Sequence, residues 1–367
     1  MKKVIVILIL TCVFCLPVGA QSSYDQLYNN TNADSLSSYL DEQTRNFFEE
    51  NDISIKDANW VNKLTKENVL KHIWQFLTSG AKTPIKTGVL IASVIFLTAA
   101  LTAFSASVRF ETAIYAAALA ISAFIANDIW QSVYSATSIV KGISSFMLSF
   151  VPVFASILAL SGKTVTAPAM SSLLLGVTEL VSFAASFAVL PLMGGYLAVS
   201  ISSGVSPLVN GWGITESIKK LSMWILSLLG TLFVGVLGIQ TTVNAAADSV
   251  SLRTAKFILG TSVPIAGGVL SEAASTISAS MGLLRSSVGI YGVVAIAFML
   301  LPIVIELILW RVMLMINISL GEIFSMSKIT GILKAVDSML SVLLGVVLIV
   351  GGMFIISLTV VVMAGKT

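Results

Sequence analysis

The sequence has almost no cysteine or histidine. Its two cysteines, Cys12 and Cys15, fall within the first twenty residues, and its one histidine is His72. Once those first residues are removed, the chain has no disulfide framework, no thiolate metal site and no cysteine nucleophile. The C-x-x-C spacing lies in an apolar run without the strand–turn–helix context of a redox motif. We therefore predict no metal site, no cofactor and no catalytic cysteine.

Charge is also scarce. Charged residues make up 11% of the chain, hydrophobic residues make up 56%, and the mean hydropathy is +0.96. Soluble domains carry about 25% charged residues, so this composition indicates a polytopic membrane protein. The net charge of +3 gives no reason to expect a nucleic-acid partner.

Residues Met1–Ala20 have the pattern of a cleaved signal peptide. Two lysines precede an apolar core, Val4–Leu16, and small residues precede Gln21. The core is too short for a comfortable transmembrane helix. We therefore expect an extracytoplasmic mature N-terminus. A lipoprotein anchor on Cys15 is disfavoured because the residues ahead of it are bulky.

Residues Gln21–Thr83 form the one soluble segment, with 9 acidic and 6 basic residues. A helix capped by Asp34 or Ser35 is predicted to present one apolar stripe: Leu36, Tyr39, Leu40 and Phe47. A second amphipathic helix, ended by Gly80 and Pro84, has the apolar side Val69, Leu70, Ile73, Trp74 and Leu77. His72 lies on its polar side, and we expect it at a solvated surface.

Residues 84–367 are predicted to be a transmembrane helix bundle with about seven crossings, six or eight being the alternatives. The predicted crossings are Ile85–Phe104, Thr112–Ala126, Phe146–Leu160, Val165–Ser202, Leu221–Ile239, Val288–Trp310 and Ser338–Ala364. Asn127–Ser145 reads as an interfacial helix with Trp130 and Tyr134 at headgroup depth. Pro168, Gly176, Pro191 and Gly194–Gly195 indicate that Val165–Ser202 is broken, with a re-entrant first half. The basic residues of the loops divide six against six, so they do not decide the orientation.

A polar central segment, residues 241–287, interrupts the apolar spans. It carries Arg253, Lys256, Glu272 and Arg285 among many small residues. A helix after Pro264 would place Gly267, Ser271, Ser275 and Ala279 on one face. A neighbouring face would carry Ala274, Ser278, Gly282 and Ser286. Small residues at four-residue spacing let two helix backbones approach closely in lipid, so we predict a packing surface there, either internal or toward a partner.

Three ionisable residues in or beside apolar spans are candidates for function: Glu179, Glu306 and Arg311. Glu306 and Arg311 are five residues apart and cannot pair squarely on one helix, so each needs a partner elsewhere. Glu306, one turn after Pro302, is predicted to face a cavity. Arg311 beside Trp310 has the pattern of an interfacial anchor. Glu179 is predicted to mark a break in the apolar run Val165–Ser202.

Sequence motifs give no support for an enzyme. Ser161–Thr164 resembles the end of a P-loop, but the first glycine is replaced by Ile157 and a membrane span precedes it. No H-E-x-x-H or G-x-S-x-G motif is present. We therefore predict a non-enzymatic protein.

The central block Ser251–Ile258, continued by Gly260, Pro264, Gly267, Glu272–Ala274 and Ser287–Ile290, strongly resembles stage III sporulation protein AE. The closing residues Thr359–Gly365 extend the likeness. The resemblance implies a multi-pass protein of the mother-cell membrane around the forespore, within a secretion-like channel complex. It implies as partners other membrane proteins of that complex, including a forespore membrane protein across the intermembrane space. The lipid bilayer is a further partner, and a homo-oligomer is compatible with the small-residue faces.

The alternative function is a secondary transporter or permease. Broken helices and the carboxylates Glu179 and Glu306 favour it. A transporter should show an internal repeat, and the two halves of the chain show none that is convincing. An intramembrane enzyme is a third, disfavoured class.

Overall fold

Every regular element in the described part of the chain is helical, which confirms the predicted all-α class. The computed structural model describes residues 28, 31–57, 59–103, 108–161, 166–205, 211, 213–233, 235 and 267–364. The predicted signal peptide and the first part of the central segment, with Arg253, Lys256 and Pro264, lie outside these residues.

The N-terminal segment, residues 28–63, contains two 3₁₀ helices and one α-helix: Ala33–Tyr39, α1 Glu42–Glu50 and Trp60–Lys63. The bundle follows with α2 Lys66–Gly80, α3 Lys82–Ala103, α4 Val108–Leu160, α5 Thr166–Phe183, a π-helical segment Ala184–Val189, α6 Leu190–Val205, α7 213–233, α8 Gly267–Ile323 and α9 Ser327–Ala364.

Five helical stretches of the described chain are long and apolar enough to cross a membrane. They are Lys66–Ala103, Thr112–Leu160, Ala167–Gly204, Gly282–Ile323 and Ser327–Thr359. At about 1.5 Å per residue, the 53 residues of α4 span roughly 80 Å, against about 30 Å of hydrocarbon. The bundle is therefore longer than one bilayer, and the count of seven crossings stays a prediction.

The predicted division of residues 112–160 into two crossings and an interfacial helix was wrong. The structure has one continuous helix, α4, with Pro152 inside it. Trp130 and Tyr134, on which the interfacial prediction rested, are 51% and 67% exposed on this helix. Asp128 and Ser132 lie on another side of it and form hydrogen bonds with neighbouring helices. No glycine or proline stands between Thr112 and Lys141 to end the helix.

The predicted break in Val165–Ser202 was also wrong for the described residues 166–205. The chain stays helical, and a π-helical segment, Ala184–Val189, precedes Pro191. Proline lacks an N–H and crowds the carbonyl four residues earlier, and a π-type widening relieves that clash without ending the helix.

The long helices form an antiparallel core. Gly321 lies against Thr330 near the α8–α9 turn, and Gly289 lies against Val362 at the far end. A left-handed Ser325, with φ of 56°, makes that turn. α4 also runs antiparallel to α8, since Ser132 contacts Glu306 and Phe150 lies against Gly292. α2 and α3 run parallel to α8, from Gly80 beside Leu309 to Phe96 beside Phe324.

The first predicted helix of the N-terminal segment is split in two. The chain turns at Leu40, and α1 has its own cap, in which the Asp41 carboxylate accepts from the Thr44 N–H at 3.3 Å. Leu36, Leu40 and Phe47 are buried as predicted, whereas Tyr39 is exposed. The end of α2 at Gly80 is confirmed.

Candidate functional site: polar contacts across the bundle

Hydrogen bonds join α4 to two neighbouring helices. The Thr87 hydroxyl on α3 donates to Asp128 Oδ2 at 2.5 Å. One turn further along α4, the Ser132 hydroxyl donates to Glu306 Oε1 on α8, also at 2.5 Å. Asp128 and Ser132 therefore face the bundle, and each carboxylate accepts a hydrogen bond from another helix. In an apolar setting such bonds fix the rotation of a helix about its own axis.

Ionic and polar contacts also join α9 to its neighbours. Arg311 Nε on α8 donates to Asp337 Oδ1 at 2.9 Å, with Nη2 at 3.5 Å from Oδ2. Lys219 Nζ on α7 donates to the Ser338 hydroxyl at 3.1 Å. Arg311 thus finds its partner on another helix, as its spacing from Glu306 predicts. Trp310 beside it is only 1% exposed, and the prediction that Arg311 is an interfacial anchor stays a prediction.

Glu306 also lines a groove of about 330 Å³ between α4, α8 and the N-terminal segment. The lining includes two further carboxylate residues, Asp41 and Glu42, together with Ser135 and Ser138 of α4. A groove with three carboxylates favours water and cations over apolar ligands. Among the described residues, no group of three or more His, Cys, Asp or Glu side chains has the geometry to hold a metal ion.

The N-terminal segment is held against α8 by aromatic contacts. The rings of Phe47 and Phe298 stack at 4.4 Å, and Phe48 meets Tyr291 edge-on at 5.0 Å. This segment therefore packs on the bundle and shares its core. A segment of about sixty residues can bury little core alone, so packing on the bundle adds to the apolar surface that it buries.

A buried hydrogen bond reinforces this docking. Trp60 Nε1 donates to the Ser287 hydroxyl of α8 at 2.9 Å, and Trp60 has no exposed surface. Sequence reasoning missed this contact, because its two residues are 227 positions apart and neither belongs to a local motif.

His72 is not at the solvated surface expected for it. Its ring lies 4.4 Å from the ring of Phe47 and 4.4 Å from that of Phe76, and it is half-buried. Nδ1 is 3.2 Å from Gln75 Oε1. Phe47 of α1 reaches across to α2 and covers His72, whereas Lys66, Glu67 and Lys71 on the same side stay exposed.

Lys63 connects two acidic residues of the N-terminal segment. It forms ion pairs with Asp52 and, at 3.1 Å, with Asp57. Burial alone would raise the pKa of the Asp57 carboxyl, but hydrogen bonds from the Asn59 N–H and from Lys63 outweigh burial and lower that pKa below 3.8. Hydrogen bonds to Asp52 and Asp57 raise the pKa of Lys63 above 10.5.

The predicted packing faces of the central segment are only partly described. The backbone is helical from Gly267, which places the starts of both faces on α8. The side chains of Ser271, Glu272, Ser275 and Ala279 lie outside the described set. At Gly282, no described atom lies within 4 Å of the position a Cβ would take.

Close helix approach through glycine occurs elsewhere in the bundle. A Cβ on Gly292 would lie 2.6 Å from Phe150 and 2.9 Å from Leu358, so three helices converge there. Similar contacts occur at Gly88, Gly194, Gly204, Gly289 and Gly351. In the sequence, isolated glycines within apolar spans are the signal that indicates such close helix contacts.

Glu179 and Arg285 are among the charged residues that have no counter-ion in the described part of the chain. Glu179 is exposed on α5 and has no hydrogen bond or ion pair there. Arg285 of α8 is only 8% exposed, and its Nε has no hydrogen-bond partner among the described residues. A buried guanidinium without an anion is costly, so Arg285 is an unexplained charge of this core.

The fold and these contacts define an all-helical membrane bundle in which polar side chains join the helices to one another and to a docked N-terminal segment. The chain belongs to the stage III sporulation protein AE family, whose model matches residues 43–365. The family's description names no catalytic activity.

A curated relative, stage III sporulation protein AE of Bacillus subtilis (strain 168), is 26% identical over 244 residues. The match covers 65% of this chain and 60% of that relative, so it spans less than two thirds of the relative's length. No solved structure matches the chain.

Proposed function

We propose that this chain is a non-enzymatic membrane component of the mother cell-to-forespore channel, a secretion-like complex of endospore formation. The observation that supports the proposal is that several polar side chains of the bundle form contacts between helices. Glu306 accepts from Ser132, and Arg311 pairs with Asp337. Side chains engaged in this way serve assembly, and family membership supplies the link to sporulation.

The partners in this proposal are other membrane proteins of the complex, including a forespore membrane protein across the intermembrane space. A signal peptide at Met1–Ala20 would place the N-terminal segment on the extracytoplasmic side, where such a partner can reach it. With residues 112–160 counted as one helix, six of the predicted crossings remain, and family membership supports their place in the mother-cell membrane.

The test is complementation in the organism that carries this chain, after deletion of its own copy. Replacing Gly267, Ser271 and Ser275 together by Leu should lower the count of heat-resistant spores and the co-purification of complex partners, because bulk on a packing face separates helices. The matched control is the same triple replacement by Ala, which keeps the face small. Equal spore counts for the Leu and Ala variants would contradict the proposal.

A secondary transporter is the second candidate, favoured by the groove that Glu306 shares with Asp41 and Glu42. Glu306→Gln and Glu179→Gln distinguish the two functions. Gln at 306 still accepts from Ser132 but carries no charge. A channel subunit should then support sporulation at the wild-type level, whereas an ion-coupled transporter should lose coupled movement of substrate.

A further inference from the structure

A pocket of about 230 Å³ lies between α2 and the C-terminal end of α1. Spacings of three and four positions put its α2 residues on one face of that helix. The lining consists of Asn68, Lys71, His72 and Gln75 of α2 with Phe47, Glu50 and Asn51 at the end of α1. Every lining side chain except that of Phe47 is polar, so the pocket offers hydrogen bonds and charge to a ligand.

The pocket contains an acid and a base that do not pair with each other. Glu50 and Lys71 both line it, yet neither forms an ion pair with any described residue. Both side chains are exposed, so they can contact a bound molecule without a change in the fold. Unpaired charges of opposite sign on the two walls of one pocket are complementary to a ligand that carries both charges.

The α1 wall of the pocket presents hydrogen-bond acceptors. The Asn51 amide Nδ2 donates to the Phe47 carbonyl at 2.8 Å, which leaves Asn51 Oδ1 as an acceptor. The Glu50 carboxylate is also an acceptor. Because α1 ends at Glu50, the last carbonyl groups of the helix add partial negative charge at this wall. The α1 wall therefore favours an ammonium group, which has three donors.

The α2 wall presents hydrogen-bond donors. The Gln75 carbonyl Oε1 lies 3.2 Å from His72 Nδ1 and accepts from it, so the Gln75 amide N–H donors remain for a ligand. Lys71, one turn before Gln75, adds its ammonium. The rings of Phe47 and Phe76 lie 4.4 Å from the His72 ring and hold it in place, and His72 in turn orients Gln75. The α2 wall therefore favours a carboxylate or phosphate.

We propose that this pocket binds a small zwitterion. Its ammonium group contacts Glu50 and Asn51, and its carboxylate or phosphate contacts Lys71 and Gln75. A free amino acid and the headgroup of phosphatidylethanolamine both have this chemistry. A neutral peptide group would meet the same donors and acceptors but would leave both charges unpaired, so the charges favour the zwitterion. The pocket is separate from the helix contacts that support the proposed function, so either proposal can fail alone.

Saturation-transfer NMR titrations on the full chain in non-ionic detergent micelles test the site. The probes are glycine and phosphoethanolamine. Ethylamine and acetate, which carry one charge each, and N-acetylglycinamide, which carries none, are the comparison compounds. We expect at least one zwitterion to bind about tenfold more tightly than every comparison compound, because each missing charge removes a charge-assisted hydrogen bond.

Charge-removing variants locate the binding. Glu50→Gln and Lys71→Met should each weaken the binding of the zwitterion about tenfold. The matched controls Glu49→Gln and Lys66→Met remove neighbouring exposed charges that do not line the pocket, and they should bind as the wild type does. Helix content by circular dichroism separates loss of binding from loss of folding.

Competition distinguishes the two sources of the zwitterion. Displacement of the bound probe by short-chain phosphatidylethanolamine, and not by short-chain phosphatidylglycerol, would support a lipid headgroup, whereas glycine binding that neither lipid displaces would support a free amino acid. Three results would overturn the proposal: no binding of either zwitterion, equally tight binding of N-acetylglycinamide, which would indicate a peptide site, or unchanged binding in both Glu50→Gln and Lys71→Met.

Discussion

Two adjacent glycines of α9 make helix packing in this bundle testable with a built-in control. A Cβ on Gly351 would stand against Leu300 of α8, 2.9 Å from Cδ2 and 3.1 Å from Cγ, with Cδ1 closer still. A Cβ on Gly352 would have no described atom within 4 Å. Gly351→Ala therefore forces α8 and α9 apart or displaces Leu300, whereas Gly352→Ala adds a methyl group in open space.

Both substitutions gain about the same helix propensity, roughly 0.8–1.0 kcal/mol, so that gain cancels in the comparison. Overpacking costs about 1–3 kcal/mol. Gly351→Ala should therefore have a free energy of unfolding about 1–3 kcal/mol below that of Gly352→Ala. Leu300 is 7% exposed, so its side chain has little room to move away.

The assay is SDS titration of the purified full chain in detergent micelles, followed by tryptophan fluorescence. Gly352→Ala should unfold at the wild-type SDS concentration or above it, and Gly351→Ala below it. Equal midpoints for the two variants would refute the close approach of α8 and α9 at this position. In a double-mutant cycle, Gly351→Ala should cost less in the Leu300→Ala background than in the wild type, because the smaller side chain makes room.

Three further predictions concern the N-terminal segment and the core beneath it. Ser287→Ala leaves the buried Trp60 N–H without its acceptor and should cost about 1–3 kcal/mol of unfolding free energy; Trp60→Phe with Ser287→Ala should cost less than the two singles added, measured as a double-mutant cycle. Arg285→Met should leave the unfolding free energy unchanged or raise it by about 1–4 kcal/mol, and a clear loss would show that an anion partners the guanidinium. The pKa of Asp57 is lower in the folded chain, so its ion pair stabilises the N-terminal segment above the ordinary carboxyl pKa, and this stabilisation is lost as the pH falls through the lowered pKa. Limited proteolysis in that acidic range should show the segment opening. Lys63→Met should weaken this pH dependence.

Local signals predicted some ends and buried residues of the shorter helices, but Leu70 and Trp74 on the predicted apolar side of α2 are 64% and 67% exposed. Gly80 ends α2, and Pro84 stands in the first turn of α3, where its missing N–H costs no hydrogen bond. Phe47 is buried on the predicted apolar stripe. Each of these features depends on residues within a few positions of one another, and that is the range over which a sequence pattern carries information.

The features that sequence reasoning missed depend on contacts between distant residues. Asp128 lies in a stretch that was predicted to be interfacial, and no residue near it in the chain can pair with it. Thr87, 41 positions earlier, supplies the hydrogen bond that keeps it inside a continuous helix. His72 was predicted to be solvated because it lies on the polar side of α2, but Phe47 covers it from another helix. The candidate site consists of such pairs of distant residues, so its geometry could not be predicted from local sequence patterns.

The unbroken length of α4 has a mechanical consequence. From Val108 to the residue before Pro152 it is about 65 Å of continuous helix, which behaves as a stiff rod. A tilt of about 1° at one end moves the other by roughly 1 Å over that length. The hydrogen bond between Ser132 and Glu306 lies near the midpoint, where it can act as a fulcrum. A displacement of one end of α4 would then move its other end in the opposite direction.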